Sequence, residues 1–83
     1  HERHVATQYD VDALAPWMTF SFVNKIFNLP PSHFKNLLSI TSTQYPNLTI
    51  ESVAQAKSIQ TSELLLIMKE DLTLVLSATS STP

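Results

Sequence analysis

No glycine occurs anywhere in the 83 residues. That absence constrains the fold more than any feature that is present. Tight β-hairpin turns need backbone at positive φ and draw heavily on glycine for it, so a sheet of short hairpins fits this chain poorly. Walker-type and dinucleotide-binding loops need glycines at fixed positions, and both are excluded. Punctuation falls instead to five prolines, residues that stop helices or open their first turn.

Between those stops the sequence reads as helix. Residues 1–9 are polar and without period, and are expected to form a flexible arm. Asp10 suits an N-cap, and the short helical turn after it, "VDALA", ends at Pro16. Thr19 is the next natural cap. Phe20, Val23, Ile26 and Phe27 follow at helical spacing, until Leu29-Pro30-Pro31 breaks the run. Pro31 suits the start of a second helix, with Phe34, Leu37 and Leu38 on its inner face. "SITSTQYPN", residues 39–47, is a loop. Thr49 caps a third helix carrying Ile50, Val53 and Ala54. Lys57 to Gln60 is a turn with Ile59 as its buried hydrophobe. Thr61 caps a fourth helix lined by Leu64, Ile67 and Met68, which continues to about residue 77. "DLTLVLS" also alternates with period two, but no second strand offers itself for pairing, and helix is the expected state.

The stretches 17–38 and 48–68 share one grammar. A shift of 49 − 19 = 30 residues sets Thr19 on Thr49, Phe20 on Ile50 and Val23 on Val53. The same shift sets Leu29 on Ile59, Phe34 on Leu64, Leu37 on Ile67 and Leu38 on Met68. The expected fold is all-α: two helical hairpins, four main helices in all, related by an internal repeat, plus a short N-terminal helix. Neither hairpin can bury its apolar face alone, so the two are expected to pack face to face with pseudo-two-fold symmetry. Residues 10–78 then form one domain, flanked by the arm and a flexible tail at 79–83. Trp17 is expected to close the bundle.

Charge narrows the function. Net charge is −2, the pI is about 5.8, and the five cations are scattered. A surface built for phosphate backbones is clustered and basic, so nucleic acid is not the expected partner. The longest apolar run, Leu64 to Met68, is far short of the ~20 residues that span a bilayer, and no direct membrane insertion is expected. There is no cysteine, hence no disulfide or thiolate metal site. His1, Glu2 and His4 on the arm make only an HxxH pair without a third ligand. His33, next to Ser32, is expected to be a solvated helix residue, as are Glu70 and Asp71. No catalytic constellation, metal site or cofactor is expected.

"LTIESVAQAKSIQTSELLLIMK", residues 48–69, resembles helix-turn-helix modules. Ala54 takes the small-residue position, Ser58 the turn position often held by glycine, and Ile59 the buried position after it. If the resemblance extended to DNA binding, residues 61–69 would be the recognition helix, yet only Gln60 and Lys69 suit base contacts. The whole chain also resembles small tandem helical modules appended to larger bacterial proteins, often beside membrane-spanning parts. Trp17-Met18-Thr19 with Leu29-Pro30, then Leu48-Thr49 with Val53-Ala54, carry that likeness. It implies an accessory role without catalytic residues, in a domain of a membrane-associated parent.

One asymmetry points to a surface. Leu65 and Leu66 fall off the expected core stripe of the fourth helix, where the first stretch has Lys35 and Asn36. Phe22 likewise matches polar Ser52. Phe22, Leu65 and Leu66, with Trp17 at the edge, are the expected contact residues for a protein partner or a second copy. The expected function is a non-catalytic interaction domain of a larger protein. The alternative is a helix-turn-helix DNA-binding module.

Overall fold

The computed structural model describes residues 6–80, with side chains through residue 78. Among them are five helices and no sheet: α1 (Gln8–Asp12), α2 (Phe20–Phe27), α3 (Ser32–Leu37), α4 (Ile50–Ala56) and α5 (Thr61–Ser80). The first four are shorter than the ~12–15 residues at which an isolated helix becomes marginal in water. They therefore stand only by local caps and shared packing.

The starts of α2 and α4 are built alike. Thr19 and Thr49 are extended, at φ −84°, ψ 157° and φ −80°, ψ 159°. Each Oγ1 accepts the N–H three residues on, from Phe22 and from Ser52, both at 3.1 Å. The two caps lie side by side as an isolated antiparallel bridge. Phe20 N–H donates to the Leu48 carbonyl at 3.1 Å and Ile50 N–H to that of Met18 at 2.9 Å. One step further, Ser21 N–H donates to Pro46 at 2.8 Å and Glu51 N–H to Pro16 at 3.1 Å. First-turn N–H groups that a helix leaves unpaired are thus satisfied across the seam, and each bond has its counterpart under the same thirty-residue shift.

The helix ends solve the missing-glycine problem three times in one way. Asn28, Ser39 and Ser58 take the left-handed conformation at φ 56°, 54° and 60°. The N–H after each reaches back five residues: Leu29 to Asn24 at 2.9 Å, Ile40 to Lys35 and Ile59 to Ala54 at 3.0 Å. This is the helix closure that glycine usually serves, with a hydrophobe placed just beyond it. Ile40 is buried, and Leu29 and Ile59 pack against the core.

One core gathers all five helices. Phe20, Val23, Phe34, Ile50, Val53, Ala54, Leu64, Met68 and Leu72 are at most 3% exposed. Phe20 lies 5.8 Å from Phe34 and 5.6 Å from Tyr45 between ring centroids. The Tyr45 hydroxyl donates to the Pro31 carbonyl, tying the 39–47 loop to the start of α3.

Several expectations need correction. α1 begins at Gln8 with Thr7 as its N-cap residue. Asp10 sits three residues in, and its carboxylate accepts the Thr7 N–H at 2.9 Å, so cap and helix start inside the stretch read as an arm. Ala6 packs on the core, and Val11 and Leu14 belong to it. α1 lies against α5, where the Gln8 side chain donates to Thr73 Oγ1 at 3.4 Å. α5 runs through Ser80, past residue 77, across "DLTLVLS" and into the expected tail. Residues 1–5, with His1, Glu2 and His4, and residues 81–83 lie outside the described residues. Leu37 and Ile67, matched as core, are both on the surface, 45% and 38% exposed. No described helix is long and apolar enough to cross a membrane.

Candidate interaction surface

Trp17 does not close the bundle. It is 66% exposed and stands beside Phe22, itself 42% exposed. Their ring centroids are 6.2 Å apart at 39°. The backbone beneath this pair is fixed. Pro16 and Met18, on either side of Trp17, each offer a carbonyl to α4, and the Phe22 N–H is held by the Thr19 cap. Two large aromatic rings therefore stand exposed on a backbone tied to α4 and to the Thr19 cap. Trp is among the residues enriched at interface hot spots.

A second apolar patch lies on α5. Leu66 and Leu74 are 57% and 70% exposed, with Ile67 near them. Glu63 and Glu70 share this exposed side of the helix. Leu65, expected off the core with Leu66, is half-buried and packs against the core. The inner stripe of α5 runs Leu64, Met68, Leu72 in steps of four, which carries Leu65 partly inward and leaves Ile67 out. Of the four expected contact residues, Trp17, Phe22 and Leu66 are exposed and Leu65 is not.

His33 and Asp71 are neither solvated nor separate. The His33 ring meets the Asp71 carboxylate at 2.6 Å from Nε2 to Oδ2, with the two side chains 25% and 21% exposed. The ring also packs edge-on to Phe34, with centroids 4.8 Å apart. The pair bolts α3 to α5 across 38 residues of sequence. Catalysis by such a dyad needs a nucleophile within hydrogen-bond reach of the ring. Ser32, the neighbour of His33 in sequence, is exposed, and it is Nε2 of the ring that meets Asp71.

Beside α2 runs an open cleft bounded by Ser21, Lys25, Pro30, Pro31 and Pro46, with Asn24 beneath it. Asn24 is only 6% exposed, and its Oδ1 is buried without a protein partner. An unsatisfied buried amide costs about 1–3 kcal/mol, a large sum for a domain this small. The sequence carries a signal for it: Asn24 sits at the spacing of Phe20, Val23 and Phe27, a polar residue on the apolar face. Among the described residues no group of three or more His, Asp or Glu is placed to hold a metal.

No protein-family model, curated protein or solved structure matches this chain, so its function is argued from its own residues.

Proposed function

We propose that this chain is a non-catalytic protein-interaction domain of a larger protein, built from two repeats of one helical unit. The repeat reading, 17–38 against 48–68, draws support from three coincidences. The caps, the cross-seam hydrogen bonds and the left-handed ends at Asn28 and Ser58 recur at one shift. Four buried pairs, Phe20/Ile50, Val23/Val53, Phe34/Leu64 and Leu38/Met68, keep the same shift. In this reading each unit presents its apolar face to the other, and the joined pair is an accessory module.

The observation that carries the interaction reading is the Trp17–Phe22 pair, two aromatic rings held in solvent on a fixed backbone. Neither is needed to fill the core. The partner is a protein surface, either a second copy or a different chain. DNA fits less well, because the exposed side of residues 61–69 offers Glu63, Leu66 and Ile67 to a polyanion. No metal or cofactor enters this reading.

Light scattering across concentration tests it, comparing the natural chain with Trp17→Ala/Phe22→Ser and with Leu66→Asp. Association that the aromatic double change abolishes, with helicity kept, assigns the pair to a contact between copies. A natural chain that stays monomeric assigns it to another protein. Loss of helicity in the double variant would make the rings structural and overturn the reading. Tight DNA binding that falls steeply with salt would replace it with the helix-turn-helix alternative.

A further inference from the structure

The cleft along α2 supports a more specific reading of the partner. We infer that it binds an extended peptide segment carrying an acidic side chain, with the Asn24 carboxamide engaging a main-chain amide and Lys25 meeting the carboxylate. This rests on the interaction-domain reading and names the kind of partner that such a domain takes.

Asn24 is the first support. It is a buried polar side chain whose acceptor has no protein partner. The fold does not require it there. Thirty residues on, the same place in α4 is Ala54, fully buried. Both positions close their helix with the main-chain carbonyl alone, accepting from Leu29 at 2.9 Å and from Ile59 at 3.0 Å. A carboxamide carries both acceptor and donor, which match the N–H and C=O of a peptide unit. Oδ1 is sealed by its neighbours in the free domain. A half-turn about χ2, a broad and soft torsion, exchanges Oδ1 with Nδ2 and leaves α2 in place.

The walls are the second support. Pro30, Pro31 and Pro46 supply apolar surface and no N–H, so the cleft's donors come from side chains: Lys25, Asn28 and the Ser21 hydroxyl. No carboxylate lines it. An acidic residue is the group this arrangement lacks.

Shape is the third. The free volume is about 540 Å³, yet the cleft lies open to solvent. Small-molecule sites bury ~70–90% of their ligand, which an open trough cannot do. A trough suits a chain that lies along it and is held at one edge.

The experiment is a selection of random peptides displayed on phage against the natural domain, with Asn24→Ala, a change that Ala54 shows the helix end tolerates, kept for comparison after the selection. Enriched peptides are titrated into isotopically labelled domain and followed by NMR. The expected result is enrichment of Asp- or Glu-bearing peptides whose binding shifts the Asn24 side-chain amide and the main chain of residues 21–28. Asn24→Ala then weakens binding about ten-fold, and Lys25→Glu and Ser21→Arg weaken it too. The last two are exposed changes, which keep the test decisive if Asn24→Ala fails to fold. No enrichment, or peptides that bind all three variants as well as the natural domain, overturns the inference. Shifts confined to Trp17 and Phe22 would also discard the cleft, while leaving the interaction-domain reading in place.

Discussion

Set side by side, residues 17–38 and 48–68 agree at both ends of their first helix and part in the second, where α3 stops at Leu37 and α5 runs on to Ser80. Both begin on an extended threonine that caps its own helix. Both end the first helix on a left-handed residue that is not glycine. Both bury the residue after the cap and the one three further on. The differences fall in separate helices. The first stretch departs just before and within α2, where Trp17, then Phe22 and Asn24, stand against Asn47, Ser52 and Ala54. The second departs in α5, where Leu65 and Leu66 stand against Lys35 and Asn36. The shared positions are what any such unit needs in order to fold. The divergent ones are free to carry recognition, and Trp17, Phe22, Asn24 and Leu66 fall among them.

The comparison breaks most visibly at the paired core positions. Phe20→Ala should destabilise by about 4 kcal/mol and Ile50→Ala by about 3 kcal/mol, within the range for emptying a buried aromatic or branched site. The larger loss belongs to Phe20 because its ring also meets Phe34 and Tyr45. Urea unfolding followed by circular dichroism reads both. A chain of this size has little stability to spare, so the midpoint of Phe20→Ala should fall near zero denaturant. A greater loss at Ile50 would mean that the second stretch anchors the core.

The caps sharpen it. Thr19→Ala and Thr49→Ala should each cost about 1 kcal/mol, and equally, because their geometry is the same. They also sit on one bridge, so the double variant should depart from additivity. A double-mutant cycle from thermal or denaturant melts measures this. Unequal single costs would separate two caps that the backbone renders alike.

Which features the sequence discloses follows from how local they are. The threonine caps at 19 and 49, the proline stop and the first two inward residues of α2 and α4 are set within a few positions, and these hold; Thr61, read as a cap, is instead the first residue of α5. α5 is harder. "LLLIM" puts an apolar residue at every phase, so periodicity cannot choose between Ile67 and Leu65. Only the neighbours do, by taking Leu64, Met68 and Leu72 in steps of four. Trp17 lies between a proline and a cap, outside any helix, where no period says which way a ring points. His33 and Asp71 lie too far apart in sequence for any local pattern to join them. At the N-terminus two caps compete: Asp10 reads as a cap in isolation, while Thr7 with Asp10 three residues later forms the reciprocal pair that starts α1. Contrast between the two stretches singles out Phe22, Leu65 and Leu66, of which Phe22 and Leu66 are exposed and Leu65 is half-buried against the core. That same contrast is what makes Asn24 stand out against Ala54.

The smallest effect tests the chain's most unusual trait. An ordinary residue in the left-handed region carries a steric penalty of roughly 1 kcal/mol or more, while asparagine enters it routinely. Ser58→Gly should therefore stabilise by up to about 1 kcal/mol, the gain being trimmed by the greater freedom of glycine in the unfolded chain. Asn28→Gly, at a nearly identical φ, should change stability by a few tenths at most. Thermal melts of the two variants give the difference directly. The hydrogen bond from Ile59 to Ala54 is made by main-chain groups that the change leaves in place, so the gain reports relief of backbone strain less the unfolded-state cost of glycine. Equal gains would mean that Asn28 is as strained as Ser58, and the two helix ends would then differ from their glycine-bearing counterparts by the same amount. No gain at either would mean that the seam between Thr19 and Thr49, rather than the local turn, sets the conformation of both ends.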